Sequence, residues 1–261
     1  MPAPPLSLVL HADAACAPDR ALGLAQALNI PLVAAPPAQG LLLRLTPEHL
    51  ELRKLGDPAL PGALWVDFNR PAARRRLLHP GEELLTQATK VRNAAQPLLI
   101  DAAAGLGRDG FLLAASGFRV LMFECNPVVA ALLDDGLQRA ARIVELADIA
   151  ARIRLTTANA LDCLPALAEQ PDVIYLDPMF PERSKTAKVK QDLQLLQLLD
   201  QKSEPPEQLL FTAMAVQAKK VVVKRPLKGP FLGERAPSYS LRGKAVRFDV
   251  YVGSGKKRES P

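Results

Sequence analysis

The chain of 261 residues holds only three cysteines, Cys16, Cys125 and Cys163, and three histidines, His11, His49 and His79. The cysteines are odd in number and never spaced as CxxC. That speaks against a disulfide scaffold or a zinc site and for a reducing, cytoplasmic setting. The histidines lie far apart and form no metal-ligand pattern, so no metal is expected. Long apolar runs are missing too. LSLVL near the N-terminus is too short to span a membrane, has no Lys or Arg before it and is followed by Asp13, so it reads as a strand rather than a signal peptide. There is no internal repeat and no long low-complexity segment; only residues 254–261 read as a disordered basic tail.

What is present is ordinary for a soluble globular chain, 49% hydrophobic and 23% charged, and long enough for one large domain or one domain with a small appendage. The net charge of +6 is unevenly spread. From Lys219 to the end there are twelve Lys or Arg against three Asp or Glu, which leaves the rest of the chain slightly acidic. A second basic cluster, Arg70, Arg74, Arg75 and Arg76, precedes the glycine-containing segment described below. Either cluster alone could be a solvated face. Two of them flanking a cofactor fold suit a polyanion such as RNA.

Residues 1–70 carry short strand patterns (LSLVLH, LLLRLTPEHLELRKL, ALWVDF) around one helical pattern, APDRALGLAQAL, with a start at Asp13 or Pro18. They predict a small strand-rich subdomain. Residues 71–253 predict the main domain. Its strands fall near 97–101, 119–124, 152–156, 172–176, 219–224 and 246–252, and its helices near 81–92, 108–116, 127–147, 187–199 and 206–217. Such alternation implies an α/β fold with a parallel sheet covered by helices on both faces.

Within it, LLIDAAAGLGRDGFLLAASGFRVLMFE places a strand ending at Asp101, a turn with Gly105 and Gly107, a helix, and a second strand ending at Glu124. This is half of a nucleoside-binding unit. Glycine allows the backbone conformations and close ligand approach that a Cβ would block, and an acid at the tip of the second strand can accept both hydroxyls of a ribose. An adenosine-containing cofactor is the expectation. Gly105, Gly107 and Gly110 also satisfy GxGxxG, so a nicotinamide-dependent oxidoreductase is one reading. Against it, Asp101 would repel a pyrophosphate at the turn, whereas the ammonium and sulfonium of S-adenosylmethionine would be attracted there.

Downstream, PDVIYLDPMFPERSK puts Asp177-Pro178-Met179-Phe180-Pro181 after another apolar strand, at the carboxyl end where open α/β sheets bind ligands. Methylation of an aromatic amine needs the nitrogen lone pair freed from the ring. Asp177 and a backbone carbonyl can accept the two N–H groups and offset the developing positive charge, while Phe180 stacks on the base. Asp177 and Phe180 are therefore the candidate catalytic residues. The bland alternative is a strand ending in a proline turn with a core phenylalanine. Trp65 and Phe68 are expected in the core rather than against a base.

DAAAGLGRDGF, FECNPVVAALLDDGL, YLDPMFP, VVVKRP and SLRGKAVRFDVY together resemble the ribosomal RNA small-subunit methyltransferase J family, over roughly Leu41 to Val252. The resemblance implies a class I (Rossmann-like) S-adenosylmethionine-dependent methyltransferase that modifies N2 of a guanine in 16S ribosomal RNA, as naked RNA or in the small subunit. It implies that Arg108, Asp109, Glu124, Cys125, Asn159, Ala160 and Asp177 hold the cofactor, beside Asp101, Gly105 and Gly107 from the reading of the turn. Three departures stand out. Cys125 replaces an arginine, Asn159-Ala160 replaces a pair of serines, and RRRLLHPGEELL, with Gly81 and Glu82, replaces a glycine-rich stretch with an arginine. For the RNA backbone, Arg74, Arg75, Arg76, Lys185, Lys224 and Arg225 are the expected contacts. Adenine N6 is an alternative acceptor, and a non-catalytic RNA-binding module is the remaining alternative function.

Overall fold

The computed structural model describes residues 7–92, 94–178, 187–199 and 205–253. Its N-terminal part contains β1 (Leu8–Ala12), α1 (Pro18–Leu28), β2 (Gly40–Leu45), β3 (Leu50–Leu55) and the two-residue β4 (Ala63–Leu64). Pro18 sets the first turn of α1, with Asp19 beside the positive helix end, and Asn29 in the left-handed conformation closes it. Between β2 and β3, the Thr46 hydroxyl accepts from the backbone N–H groups of Glu48 and His49 and fixes the turn.

The chain continues through α2 (Pro71–Leu78), a 3₁₀ turn at Pro80–Glu82, α3 (Leu84–Thr89), β5 (Leu98–Asp101), α4 (Arg108–Ala115), β6 (Arg119–Glu124), α5 (Pro127–Ala140), α6 (Val144–Ala150) and β7 (Ile153–Thr157). There follow α7 (Ala160–Cys163), β8 (Val173–Leu176), α8 (Ala187–Leu199), α9 (Pro206–Ala215), β9 (Lys220–Pro226), β10 (Tyr239–Arg242) and β11 (Val246–Val252). Among the described residues no helix is long and apolar enough to cross a membrane.

These elements form two compact units. The first takes the described residues up to Asp67, Asn126–Arg139 and α8, so it draws on two later stretches as well as the N-terminal residues that the sequence pattern sets apart. Its sheet has the order β1-β2-β3-β4, with β1 and β2 parallel across α1 and the other pairs antiparallel. Leu10, Leu43, Leu45 and Leu52 are wholly buried in it. The buried carboxylate of Asp135 on α5 accepts from Arg20 on α1, Arg139 one turn on and the backbone N–H of Leu50, tying three elements together. Trp65 stacks on His49 with ring centroids 4.9 Å apart.

The second unit is built on a seven-stranded sheet of order β10-β11-β9-β8-β5-β6-β7. The run from β9 to β7 is parallel, and β5 (LLID) and β8 (VIYL) are buried at every position, as strands covered on both faces must be. β11 departs from the expected parallel arrangement. It joins β10 through a turn at 243–245, too short for a crossover, and so runs antiparallel to both neighbours. Leu98, Ile100, Leu176, Val221 and Val223 pack against Leu210 and Ala213 of α9. Phe68 is buried and stacked on Phe111 of α4, 4.0 Å between centroids, in line with its expected place in the core.

Helix boundaries differ from the sequence pattern at three places. The helix expected over 127–147 is two, because Ile143 is extended and its carbonyl starts α6 by accepting from Leu146 and Ala147. The one expected over 81–92 shrinks to α3 behind the Pro80 turn. The arginine cluster turns out to lie on a helix, α2, entered at Pro71 and with no buried residue.

Candidate active site

The strand order reverses beside β5, between β8 and β6, the place where parallel sheets leave a crevice at their carboxyl ends. Asp101 ends β5, Glu124 ends β6, Asn159 lies just past β7, and Asp177 directly follows β8. Gly105 and Gly107 both have positive φ, +53° and +68°, a conformation that costs other residues about 1–2 kcal/mol. The turn they make is stitched to the end of β6: Gly105 N–H donates to Glu124 Oε2 at 2.8 Å and Ala104 N–H to the Phe123 carbonyl at 3.0 Å. Gly107 then starts α4. The third glycine of the apparent GxGxxG has a packing role. A Cβ on Gly110 would stand 2.8 Å from Asp101 Oδ2 and collide with the Met122 methyl, so glycine lets α4 lie against both strands.

Strand parity aims a polar network at this turn. Asp101 is paired with Tyr175, and Tyr175 with Val222, so these two side chains and Lys224, two residues on, share the sheet face that carries α4. Asp109, in the first turn of α4, accepts from the Tyr175 hydroxyl at 2.8 Å and from Lys224 Nζ at 2.9 Å. Lys224 Nζ also donates to Asp177 Oδ2 at 2.7 Å. Arg76 closes the far side, reaching Asp109 at 3.4 Å and Glu83 at 3.0 Å. Burial opposes the charge on Asp109, but Lys224 and Arg76 outweigh it and hold its pKa below the usual carboxylate value. Burial likewise opposes the Lys224 ammonium, and Asp109 and Asp177 more than compensate, raising its pKa. Asp101 shifts the other way from Asp109. Burial first, then Asp109 and Asp177, push its pKa up to about 8.

The predicted site residues fall into groups. Asp101, Gly105, Gly107, Asp109, Glu124 and Asp177 come together around the turn and the carboxyl ends of β5, β6 and β8. Arg108 begins α4 with its side chain exposed, and Cys125 is exposed just past Glu124. Asn159 caps α7, its side chain accepting from Leu161 N–H at 2.9 Å, with Ala160 buried behind it. Phe180, Lys185 and the tail 254–261 lie outside the described residues.

Two of the expected RNA contacts have partners within the protein. Lys224 is held between two carboxylates inside the site. Arg225 is 5% exposed, and its guanidinium donates to the Pro230 carbonyl at 2.8 Å, whereas the Lys224 side chain stays 25% exposed. On α2, Arg75 is exposed, Arg74 is bonded to Asn69, and Arg76 belongs to the site network. Tyr175 was missing from the sequence-based set. Its signal was its place two residues before Asp177, which puts both on one face of a strand. Glu82 is exposed, and its neighbour Glu83 accepts from Arg76 at 3.0 Å.

The donor set suits a cationic ligand. Asp109, Glu124 and Asp177 gather around the turn with Asp101, whose raised pKa leaves a carboxyl that a bound ammonium would ionise, an arrangement better matched to ammonium and sulfonium groups than to the pyrophosphate of a nicotinamide cofactor. Among the described residues no three His, Cys, Asp or Glu side chains gather as a metal site.

Sheet order, glycine turn and acidic crevice define the class, a Rossmann-like S-adenosylmethionine-dependent methyltransferase. The family described as "Putative SAM-dependent methyltransferase" matches residues 24–253. A SAM-dependent methyltransferase from Neisseria gonorrhoeae, solved as a crystal structure, aligns with 94% of this chain and 96% of its own at a TM-score of 0.75 and 37% identity. The protein named ribosomal RNA small subunit methyltransferase J of Thioalkalivibrio sulfidiphilus is 44% identical, over 90% of this chain and 93% of its own. Its namesake in Aeromonas salmonicida is 47% identical, over 80% and 85%. The chain belongs to the ribosomal RNA small subunit methyltransferase J family.

Proposed function

We propose that the protein transfers the methyl group of S-adenosylmethionine to N2 of a guanine in 16S ribosomal RNA, in the cytoplasm, on RNA or on the small ribosomal subunit. The observation that carries this reading is the Asp177 carboxylate, directly past β8, held by Lys224 beside the acidic crevice. The ribosomal RNA comes from the names of the relatives, and the guanine N2 from the likeness of LDPMFP and NPVVAALLDDGL to the family's motifs.

When bound, the cofactor supplies a methyl group on a cationic sulfur. Glu124 is the acceptor for its ribose hydroxyls, at the end of β6 where Gly105 N–H already orients the carboxylate. Asp101 attracts the methionine ammonium. Cys125, Asn159 and Ala160, past the ends of β6 and β7, flank the adenine, and Arg108 and Asp109 complete the set from the first turn of α4. Asp177 accepts the N–H groups of the incoming amine and offsets the positive charge that grows on nitrogen. Phe180 stacks on the base. Lys224 Nζ donates to Asp177 Oδ2 at 2.7 Å and holds the carboxylate in place as a hydrogen-bond acceptor.

Nucleoside mass spectrometry of 16S RNA from cells with and without the protein tests this. Loss of one N2-methylguanine in the deletion strain is expected. Loss of an N6-methyladenine instead would move the acceptor to adenine, and an unchanged nucleoside profile would overturn the assignment.

A further inference from the structure

Beyond Lys224 and Arg225, the carboxyl edge of the sheet carries cations that no acid among the described residues pairs with. β10 is antiparallel to β11 and β11 to β9, so β10 runs in the same direction as β9 and ends at the same edge as Asp101, Glu124 and Asp177. Arg242, Arg247 and Arg225 sit opposite one another across β10, β11 and β9, a row about 10 Å wide at ordinary strand spacing. The inner two members are buried and structural. Arg247 pairs with Asp249 at 2.9 Å and donates to the carbonyls of Pro226, Leu227, Gly229 and Pro230, while Arg225 donates to Pro230 again. They fold the loop after β9 onto the sheet end and fix the backbone that carries Lys228. Leu227 N–H reaches the Ala245 carbonyl at 3.4 Å, which sets that loop beside the β10–β11 turn carrying Lys244.

Lys228, Arg242 and Lys244 are exposed, and none of them has a carboxylate within ion-pair distance among the described residues. Over 219–253 the acids are only Glu234 and Asp249. Asp249 is neutralised under Arg247, and Glu234 lies in a short turn packed on α9. Three uncompensated cations on a pre-ordered loop and turn, in line with the row of strand ends that holds Asp177, make a surface for a polyanion.

We propose that Lys228, Arg242 and Lys244 form a docking surface for the ribose-phosphate backbone of the RNA flanking the target base. This rests on the reading of RNA as the substrate. Phosphate contacts position a nucleic acid without reading its sequence and weaken with salt, by about 0.7 unit of log K per log salt for each phosphate neutralised on a single strand.

The test compares the full-length protein with K228A/R242A/K244A, with K228E/K244E, and with R154A, which removes an exposed cation from β7 on the opposite edge of the sheet. The probe for binding is 16S RNA transcribed in vitro; S-adenosylmethionine affinity and the thermal midpoint report folding. The triple variant should bind RNA at least tenfold more weakly at moderate salt, with a salt slope shallower by about 2, a raised KM for RNA, an unchanged kcat and unchanged cofactor affinity. K228E/K244E should do the same, and R154A should behave as wild type. Equal RNA affinity and equal slope in both cluster variants would overturn the surface alone, as would an equal loss in R154A. If wild-type protein bound RNA through these residues but transferred no methyl group, the reading of the function would fail and the surface would stand.

Discussion

The Lys224 ammonium lies 2.7 Å from Asp177 and 2.9 Å from Asp109, so one half-buried cation joins the first turn of α4 to the residue just past β8. Asp109 is fixed further by the Tyr175 hydroxyl. Asp177 is thereby held on a rigid strand end rather than left to its loop.

Removing that cation should cost turnover more than cofactor binding. Lys224→Met is expected to lower kcat by about 10²-fold, the scale seen when a reacting group is misplaced by an ångström, with Lys224→Arg recovering part of it. Single-turnover rates and S-adenosylmethionine titration separate the two effects. A kcat within twofold of wild type would show that Asp177 needs no such support.

Asp177 itself should matter through its accepting oxygens. Asp177→Ala should lose about 10²–10³-fold in kcat, the scale of one transition-state hydrogen bond, while the thermal midpoint stays close to wild type because the side chain is one-third exposed. Methyl transfer assays on unmodified 16S RNA give the answer, and wild-type turnover would remove Asp177 from the chemistry.

Asp101 makes the protein's stability depend on pH in a defined direction. Its pKa lies near 3.8 in the unfolded chain and is pushed up to about 8 when folded. Below pH 4 both states are protonated and the residue contributes nothing. Between pH 4 and 8 the unfolded chain is ionised and the folded one is not, so stability falls as pH rises, and above 8 the full cost of a buried charge is present. Asp101→Asn should therefore raise the thermal midpoint of the ligand-free protein more at pH 8.5 than at pH 5. A bound ammonium reverses the preference. S-adenosylmethionine affinity of the wild type should rise with pH relative to the Asn variant, whose profile carries only the ligand's own titration. Parallel profiles in the two proteins would rule this out.

The glycine turn and the Asp177 strand end were legible in the sequence because each is written in a few consecutive residues: an apolar run, then an acid, then glycine or proline. The contacts that surround them were not. Lys224 meets partners 47 and 115 residues away, and the pairing follows from which strands are neighbours, which no local pattern states. VVVKRP reads as a strand ending in two exposed cations, yet the loop behind it folds back and buries Arg225 beneath Pro230. RRRLLHPGEELL reads as charge. Its helix has no buried residue to give it a periodic apolar face, so α2 and the reach of Arg76 to Asp109 emerge only with the tertiary structure. The two-unit division is discontinuous for the same reason: the amphipathic pattern of α5 shows that it packs, but not which sheet it packs on.

Gly110 offers a test of the turn that touches no reacting group. Its φ is ordinary for a helix, so alanine should raise helix propensity and stabilise α4 by up to 1 kcal/mol if propensity alone decided. Space decides otherwise. A methyl there meets Asp101 Oδ2 at 2.8 Å and the Met122 side chain, and only the latter can turn aside. Overpacking of this kind costs about 1–3 kcal/mol, so Gly110→Ala should be net destabilising in urea. It should also weaken S-adenosylmethionine binding, because α4 can relieve the clash only by moving off β5 and taking the Gly105–Gly107 turn with it. Gly81→Ala, where a methyl meets nothing within 4 Å, is the matched control and should change neither quantity. A Gly110→Ala protein as stable as wild type with unchanged cofactor affinity would mean that the third glycine is not what lets α4 approach the strand.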